Sequence, residues 1–114
     1  MNTAASKSLR VLALTALWMG GAMLAQGAEN DSSTRVVIKD FMFAPVALTV
    51  KAGSVVSWTN QDNEPHTVAS DAGVFRSRAL DTNESFSFKF DQPGTYRFLC
   101  SIHPYMVGTI TVEP

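Results

Sequence analysis

The 114-residue chain is short of almost every residue type that carries strong chemistry. It has one cysteine, Cys100, and two histidines, His66 and His103. A single cysteine excludes an internal disulfide, whatever the redox compartment. Two histidines and one cysteine also leave no spare donors of those types for a second metal centre. Charge is scarce and balanced: nine Lys and Arg stand against ten Asp and Glu, with no long run of either sign. A nucleic-acid partner would call for a basic face, which this sequence lacks. The one apolar run, Val11 to Ala25, is interrupted by Thr15, Gly20 and Gly21. It falls short of the about 20 residues that a membrane span needs.

That run reads instead as the centre of an export signal, removed in the mature protein. Lys7 and Arg10 precede it, and Ala25-Gln26-Gly27 supplies small residues for cleavage. Residues 1–28 are therefore expected to be a signal peptide, with an uncleaved anchor as the alternative. Cleavage removes two cations and no anion, which leaves seven against ten and a net charge of −3. What remains is one small domain, whose modest core gains from an added constraint such as a metal. An exported thiol is open to oxidation unless buried or ligated, so Cys100 is expected off the open surface.

Residues 29–34 are polar and aperiodic, a flexible lead-in. Beyond them, short stretches rich in β-branched and aromatic residues alternate with turn signals, which points to an all-β sandwich or barrel. Strands are expected at Arg35–Lys39, Ala47–Val50, Ser54–Thr59, His66–Ala69, Ser85–Phe90, Thr95–Cys100 and Gly108–Val112. Along Ser85 to Phe90 the three Phe share one face and Ser85, Ser87 and Lys89 the other. The same period groups Tyr96, Phe98 and Cys100 on one face. Pro93-Gly94 fits a type II turn with positive φ at the glycine, so these two strands are expected to form an antiparallel hairpin. Residues 40–45 and 71–83 read as longer excursions, the second anchored by Val74, Phe75 and Leu80 and containing a helical turn.

The densest chemistry lies in Cys100-Ser101-Ile102-His103-Pro104-Tyr105-Met106, where thiol, imidazole and thioether recur every three residues. A turn at the end of a strand lets all three point at one centre. Pro104 limits the freedom of that turn, and Gly108 eases the chain into the next strand. His66 follows Pro65 and supplies the second imidazole. One thiolate, two imidazoles and a weak thioether are the donor set of a blue-copper electron-transfer site, with Met106 as the long axial ligand. Zinc is the competing ion. Its structural sites use four Cys or His donors and its catalytic sites keep a water position, neither of which a methionine provides.

From Val36 to Val112 the chain resembles the cupredoxins, the small blue-copper proteins. Asp40-Phe41-Met42-Phe43-Ala44-Pro45, Val56-Ser57-Trp58-Thr59-Asn60, Pro65-His66-Thr67-Val68 and Pro93-Gly94-Thr95-Tyr96 match family landmarks. The short Cys-x-x-His-Pro-aromatic-Met loop is most similar to that of amicyanins, with plastocyanins next. The resemblance implies a Greek-key β-sandwich over residues 35–114, one copper ion cycling between Cu(I) and Cu(II), and His66, Cys100, His103 and Met106 as its ligands. It further implies a mobile electron carrier in a bacterial periplasm, not an enzyme. Its expected partners are redox proteins such as a dehydrogenase or a c-type cytochrome, and with no large apolar stripe in the sequence a monomer is expected. His103 would be the exposed ligand, rimmed by Phe43, Pro45, Pro104 and Tyr105. Thr67 stands where many relatives have Asn; its N–H can still donate to the Cys100 sulfur, and its hydroxyl is placed to bond Ser101.

Two rival functions use the same residues. A copper-binding or delivery protein without a redox partner would favour exposed sulfur donors, and after cleavage the chain keeps only Met42 and Met106. A multicopper enzyme domain would bridge two centres through a His beside the Cys, whereas Leu99 and Ser101 flank Cys100.

Overall fold

Apolar residues at alternate positions of several short strands bury one face of a sheet and leave the other to solvent. Two such sheets close over each other in the computed structural model, which describes residues 34–114. The expected signal peptide and nearly all of the lead-in lie outside the described residues. The strands are β1 (Arg35–Lys39), β2 (Met42–Ala44), β3 (Ala47–Lys51), β4 (Ser54–Asn60), β5 (Ala69–Ser70), β6 (Ser85–Phe90), β7 (Gly94–Leu99) and β8 (Val107–Glu113). One four-stranded sheet has the order β2-β1-β4-β6 and the other β3-β8-β7-β5. Pairing is mixed: β1 runs parallel to β4 and β3 to β8, and the rest are antiparallel. Between β2 and β7 every connection crosses from one sheet to the other, which makes this the expected Greek-key β-sandwich.

Those crossings overturn one expectation. Strands β6 and β7 do not pair; β6 lies against β4, and β7 sits between β8 and β5. Alternation correctly groups their inward side chains, but both sheets of a sandwich present an inner face, so period alone does not name a partner. Gly94 does take a positive φ, at +151°, far from the about +80° of a type II turn. Three smaller differences follow from tertiary contacts. Residues 42–44 pair with β1 as a short strand where an irregular excursion is expected. No helical turn forms in residues 71–83, where Phe75 and Leu80 anchor the segment and Val74 is exposed. The strand expected at His66–Ala69 shrinks to Ala69–Ser70, with His66 in an isolated bridge to Leu80.

The core lies between the sheets. Val36, Ile38, Val56, Trp58 and Phe90 enter from one side and Val50, Phe98, Ile110 and Val112 from the other. Trp58 is fully buried and touches Phe75, Phe86, Phe90 and Phe98, the last edge-on at 5.4 Å. Gly108, expected to serve through backbone freedom, is required for a steric reason instead. A Cβ there would run into the ring of Phe98, with Cε2 at 2.7 Å. This close approach brings β8 over Phe98, two residues before Cys100 on the neighbouring strand.

Candidate metal centre

At one end of the sandwich, β7 delivers Cys100 to the interior, where it is fully buried. The chain turns at once and returns as β8. Within that turn the Cys100 N–H donates to the Met106 carbonyl at 3.1 Å, and the Met106 N–H donates to the His103 carbonyl at 2.9 Å. The loop is thus closed by its own backbone. Cys100 and Met106 are buried, while His103 is half-buried.

His66 reaches the same place from the loop after β4. Its N–H donates to the Leu80 carbonyl at 3.1 Å, and the Leu80 N–H returns the bond to His66 at 2.7 Å. The segment 71–83 therefore covers His66, which has no exposed surface. His66 Nδ1 and His103 Nδ1 each lie 3.7 Å from Cys100 Sγ. The donor atoms of the three residues all fall within 4.8 Å of one another, a spacing one metal ion can bridge. Three of the four expected site residues thus converge on one point. The fourth, Met106, is buried in the loop that carries Cys100 and His103.

Electrostatics prepare the sulfur for a cation. Burial by itself would raise the Cys100 pKa, but the hydrogen bond from the Thr67 N–H, the two neighbouring imidazoles and the Ile102 backbone outweigh it. Together they draw the thiol down to about 6. The Thr67 N–H lies 3.4 Å from Sγ. The Thr67 hydroxyl lies 2.7 Å from Ser101 Oγ and accepts the Ser101 N–H at 2.7 Å, tying the two ligand loops together as the sequence predicts.

Three residues not expected at the site also shape it. Fully buried Asn60 donates to the carbonyls of Glu64 and Leu80, both at 2.8 Å, and accepts the Asp62 N–H at 2.9 Å. Asp62, itself buried, places Oδ2 2.9 Å from His66 Nε2. Phe41 packs edge-on against His66 at 5.1 Å and against His103 at 5.0 Å. The only sequence sign of Asp62 is a carboxylate four residues before a histidine, in a stretch that otherwise reads as a polar loop. The expected rim also needs correction. Phe43 is core, packed on Phe98 at 4.8 Å, because β2 turns it inward. Met42, Val46, Ile102 and Tyr105 are the large apolar side chains exposed at this end, beside Pro45 and Pro104.

A family model described as a cupredoxin-like domain matches residues 10–112. The chain is a cupredoxin. It is 37% identical over 111 residues to amicyanin-alpha of Methylorubrum extorquens, an alignment covering 93% of each chain. Among solved structures, a Cu(I) form of an amicyanin mutant is 32% identical with a TM-score of 0.68, over 73% of this chain and 84% of that one. A copper-containing nitrite reductase from Thermus scotoductus SA-01 matches at 28% identity and TM-score 0.67, over 71% of this chain but only 22% of the enzyme. The cofactor of this cupredoxin is one copper ion, and its cluster of thiolate and two imidazoles, with a thioether in the same loop, fits a type 1 site.

The link between the ligand loops yields a prediction. Thr67→Val keeps the N–H that faces Cys100 but leaves the Ser101 N–H without its acceptor. The expected cost is about 1–3 kcal/mol of stability, together with a shifted reduction potential as the Cys100 loop relaxes. Denaturant titration and voltammetry read the two effects, and a variant unchanged in both would show that the loops are tied elsewhere.

Proposed function

We propose that this cupredoxin is a mobile one-electron carrier of the bacterial periplasm, with His66, Cys100, His103 and Met106 as its copper ligands. The observation that carries the reading is the approach of two imidazole nitrogens from separate loops to one buried sulfur. Bound copper supplies the Cu(I)/Cu(II) couple. The protein's part is to hold soft and borderline donors in one arrangement that both oxidation states tolerate. Reciprocal hydrogen bonds with Leu80 fix the His66 backbone, and the closed Cys100–Met106 turn fixes the other donors. Burial of His66, Cys100 and Met106 keeps water from the donors.

Electrons would leave through His103, the donor with exposed surface. Around it Ile102 is 48% and Tyr105 71% exposed, with Met42 and Val46 nearby on the same end. An apolar surface of this size suits brief contact with a redox protein, such as a dehydrogenase donor or a c-type cytochrome acceptor, by a monomer. A delivery role fits less well, since the two sulfurs at the site are buried and Met42 is the one exposed sulfur among the described residues. The nitrite reductase match spans too little of that enzyme to bring its activity here. Among the described residues, no helix is long and apolar enough to cross a membrane.

The direct test is to add Cu(II) to the purified protein and record its visible spectrum. An intense band toward the red, bleached by ascorbate and restored by an oxidant, is the expected outcome. A colourless complex would reject the carrier. Amino-terminal sequencing of the exported protein tests the location, with a mature start near residue 28 expected and an intact Met1 counting against it.

A further inference from the structure

Two consecutive non-glycine residues, Asp40 and Phe41, adopt left-handed backbone conformations, with φ of +54° and +56°. Such a conformation is unfavourable for a residue with a side chain and persists only where its surroundings hold it there. What holds them is Asp62. The Asp40 N–H donates to Oδ1 at 2.7 Å and the Phe41 N–H to Oδ2 at 2.9 Å. Successive backbone N–H groups that converge in this way form a small anion-binding concavity. Asp62 is in turn fixed at both ends of its own backbone. Its N–H donates to Asn60 Oδ1 at 2.9 Å, and its carbonyl accepts the Thr82 hydroxyl at 2.6 Å.

The same Oδ2 faces His66 Nε2 at 2.9 Å. A carboxylate oxygen already accepting a backbone N–H offers only lone pairs, so the proton of that contact belongs to the imidazole. His66 therefore carries hydrogen on Nε2, and its Nδ1 lone pair faces Cys100 Sγ. Phe41, seated by its N–H bond to the same carboxylate, places its ring against both imidazoles.

We propose that Asp62 is a positioning residue that selects the His66 tautomer, sets the gap between the two imidazoles through Phe41, and lowers the reduction potential by placing a buried negative charge across the imidazole ring from the Nδ1 that would hold the metal. The inference rests on the copper-carrier reading and deepens it. The carboxylate stabilises the more highly charged Cu(II), so adding one electron, with no proton, is harder than with a neutral acceptor behind His66. Outer-shell partners of metal-bound histidines typically change affinity by about 10–100-fold.

The test is Asp62→Asn in the full chain, measured by voltammetry of the copper form and by competition titration with Cu(II) and Cu(I). The expected result is a blue protein whose Cu(II) affinity falls by roughly tenfold while Cu(I) affinity changes less. A tenfold selective loss is an upward shift of about 59 mV for a one-electron couple. A folded variant with the wild-type potential would overturn the proposal, because a purely structural Asp62 lowers the melting temperature without moving the potential. If the variant does not fold, the wild-type protein still decides. Nitrogen-15 NMR of the metal-free form should find His66 protonated on Nε2, with a downfield, slowly exchanging proton, and protonation on Nδ1 would overturn the proposal. That measurement needs no copper, so its failure is distinct from failure of the carrier reading, which would show as a colourless wild-type copper form.

Discussion

Cys100→Ser abolishes the intense red absorption of the copper form and lowers copper affinity by more than ~100-fold, above the range seen for outer-shell changes alone. Cys100 is fully buried, and the hydrogen bond from the Thr67 N–H, with the two imidazoles beside it, favours the thiolate. A serine hydroxyl in the same place stays protonated near neutral pH, so the site loses a negative charge and its softest donor. The metal-free variant should remain folded, since serine is close in volume and its oxygen can still accept the Thr67 N–H. Visible spectra and competition titrations, with circular dichroism as the control, make the comparison. An unchanged band and affinity would place copper away from Cys100, and the proposed function would fall with that result.

The largest effect on stability belongs to Trp58→Ala. Trp58 is completely buried, and four phenylalanine rings from both sheets and the 71–83 segment pack around it. Emptying such a site costs about 3–5 kcal/mol, because the surroundings collapse only partly into the cavity. Set against the roughly 5–15 kcal/mol that holds a typical domain together, this is a large share. For a domain of this size each kcal/mol moves the melting temperature by roughly 4–8 °C, so a drop of ~12–40 °C is expected. Trp58→Phe serves as the control. Trp58 Nε1 is the buried side-chain polar atom without a hydrogen-bond partner among the described residues. The phenylalanine variant therefore loses volume but no hydrogen bond, and its melting temperature should fall much less. Equal losses in both variants would assign the cost to something other than packing volume.

The two variants separate what is local from what is shared. Phe98 packs edge-on against Trp58 and Phe43 and leaves no room for a side chain at Gly108. It lies two residues before Cys100, so a cavity at Trp58 should also loosen the strand that carries the thiolate. The ligand end of the sandwich is in this sense supported by the core and is not a separate unit.

Read alone, the sequence determined the all-β class, the inward faces of β6 and β7, the burial of Cys100 and the three donors, His66, Cys100 and His103, that converge on one point. It could do so because alternation and residue scarcity are local properties. A strand of period two shows its buried face wherever it lies, and a chain with one Cys and two His offers few choices of donor. The Thr67–Ser101 link was legible for a related reason, since both residues adjoin ligands that must meet. Only the tertiary structure decided which sheet each strand joins, that Phe43 faces inward, and that Gly108 is needed beneath the Phe98 ring. Asp62 belongs to the same class. Its role arises where residues 40–41, 62 and 66 come together, and no spacing along the chain encodes a hydrogen bond made across three segments.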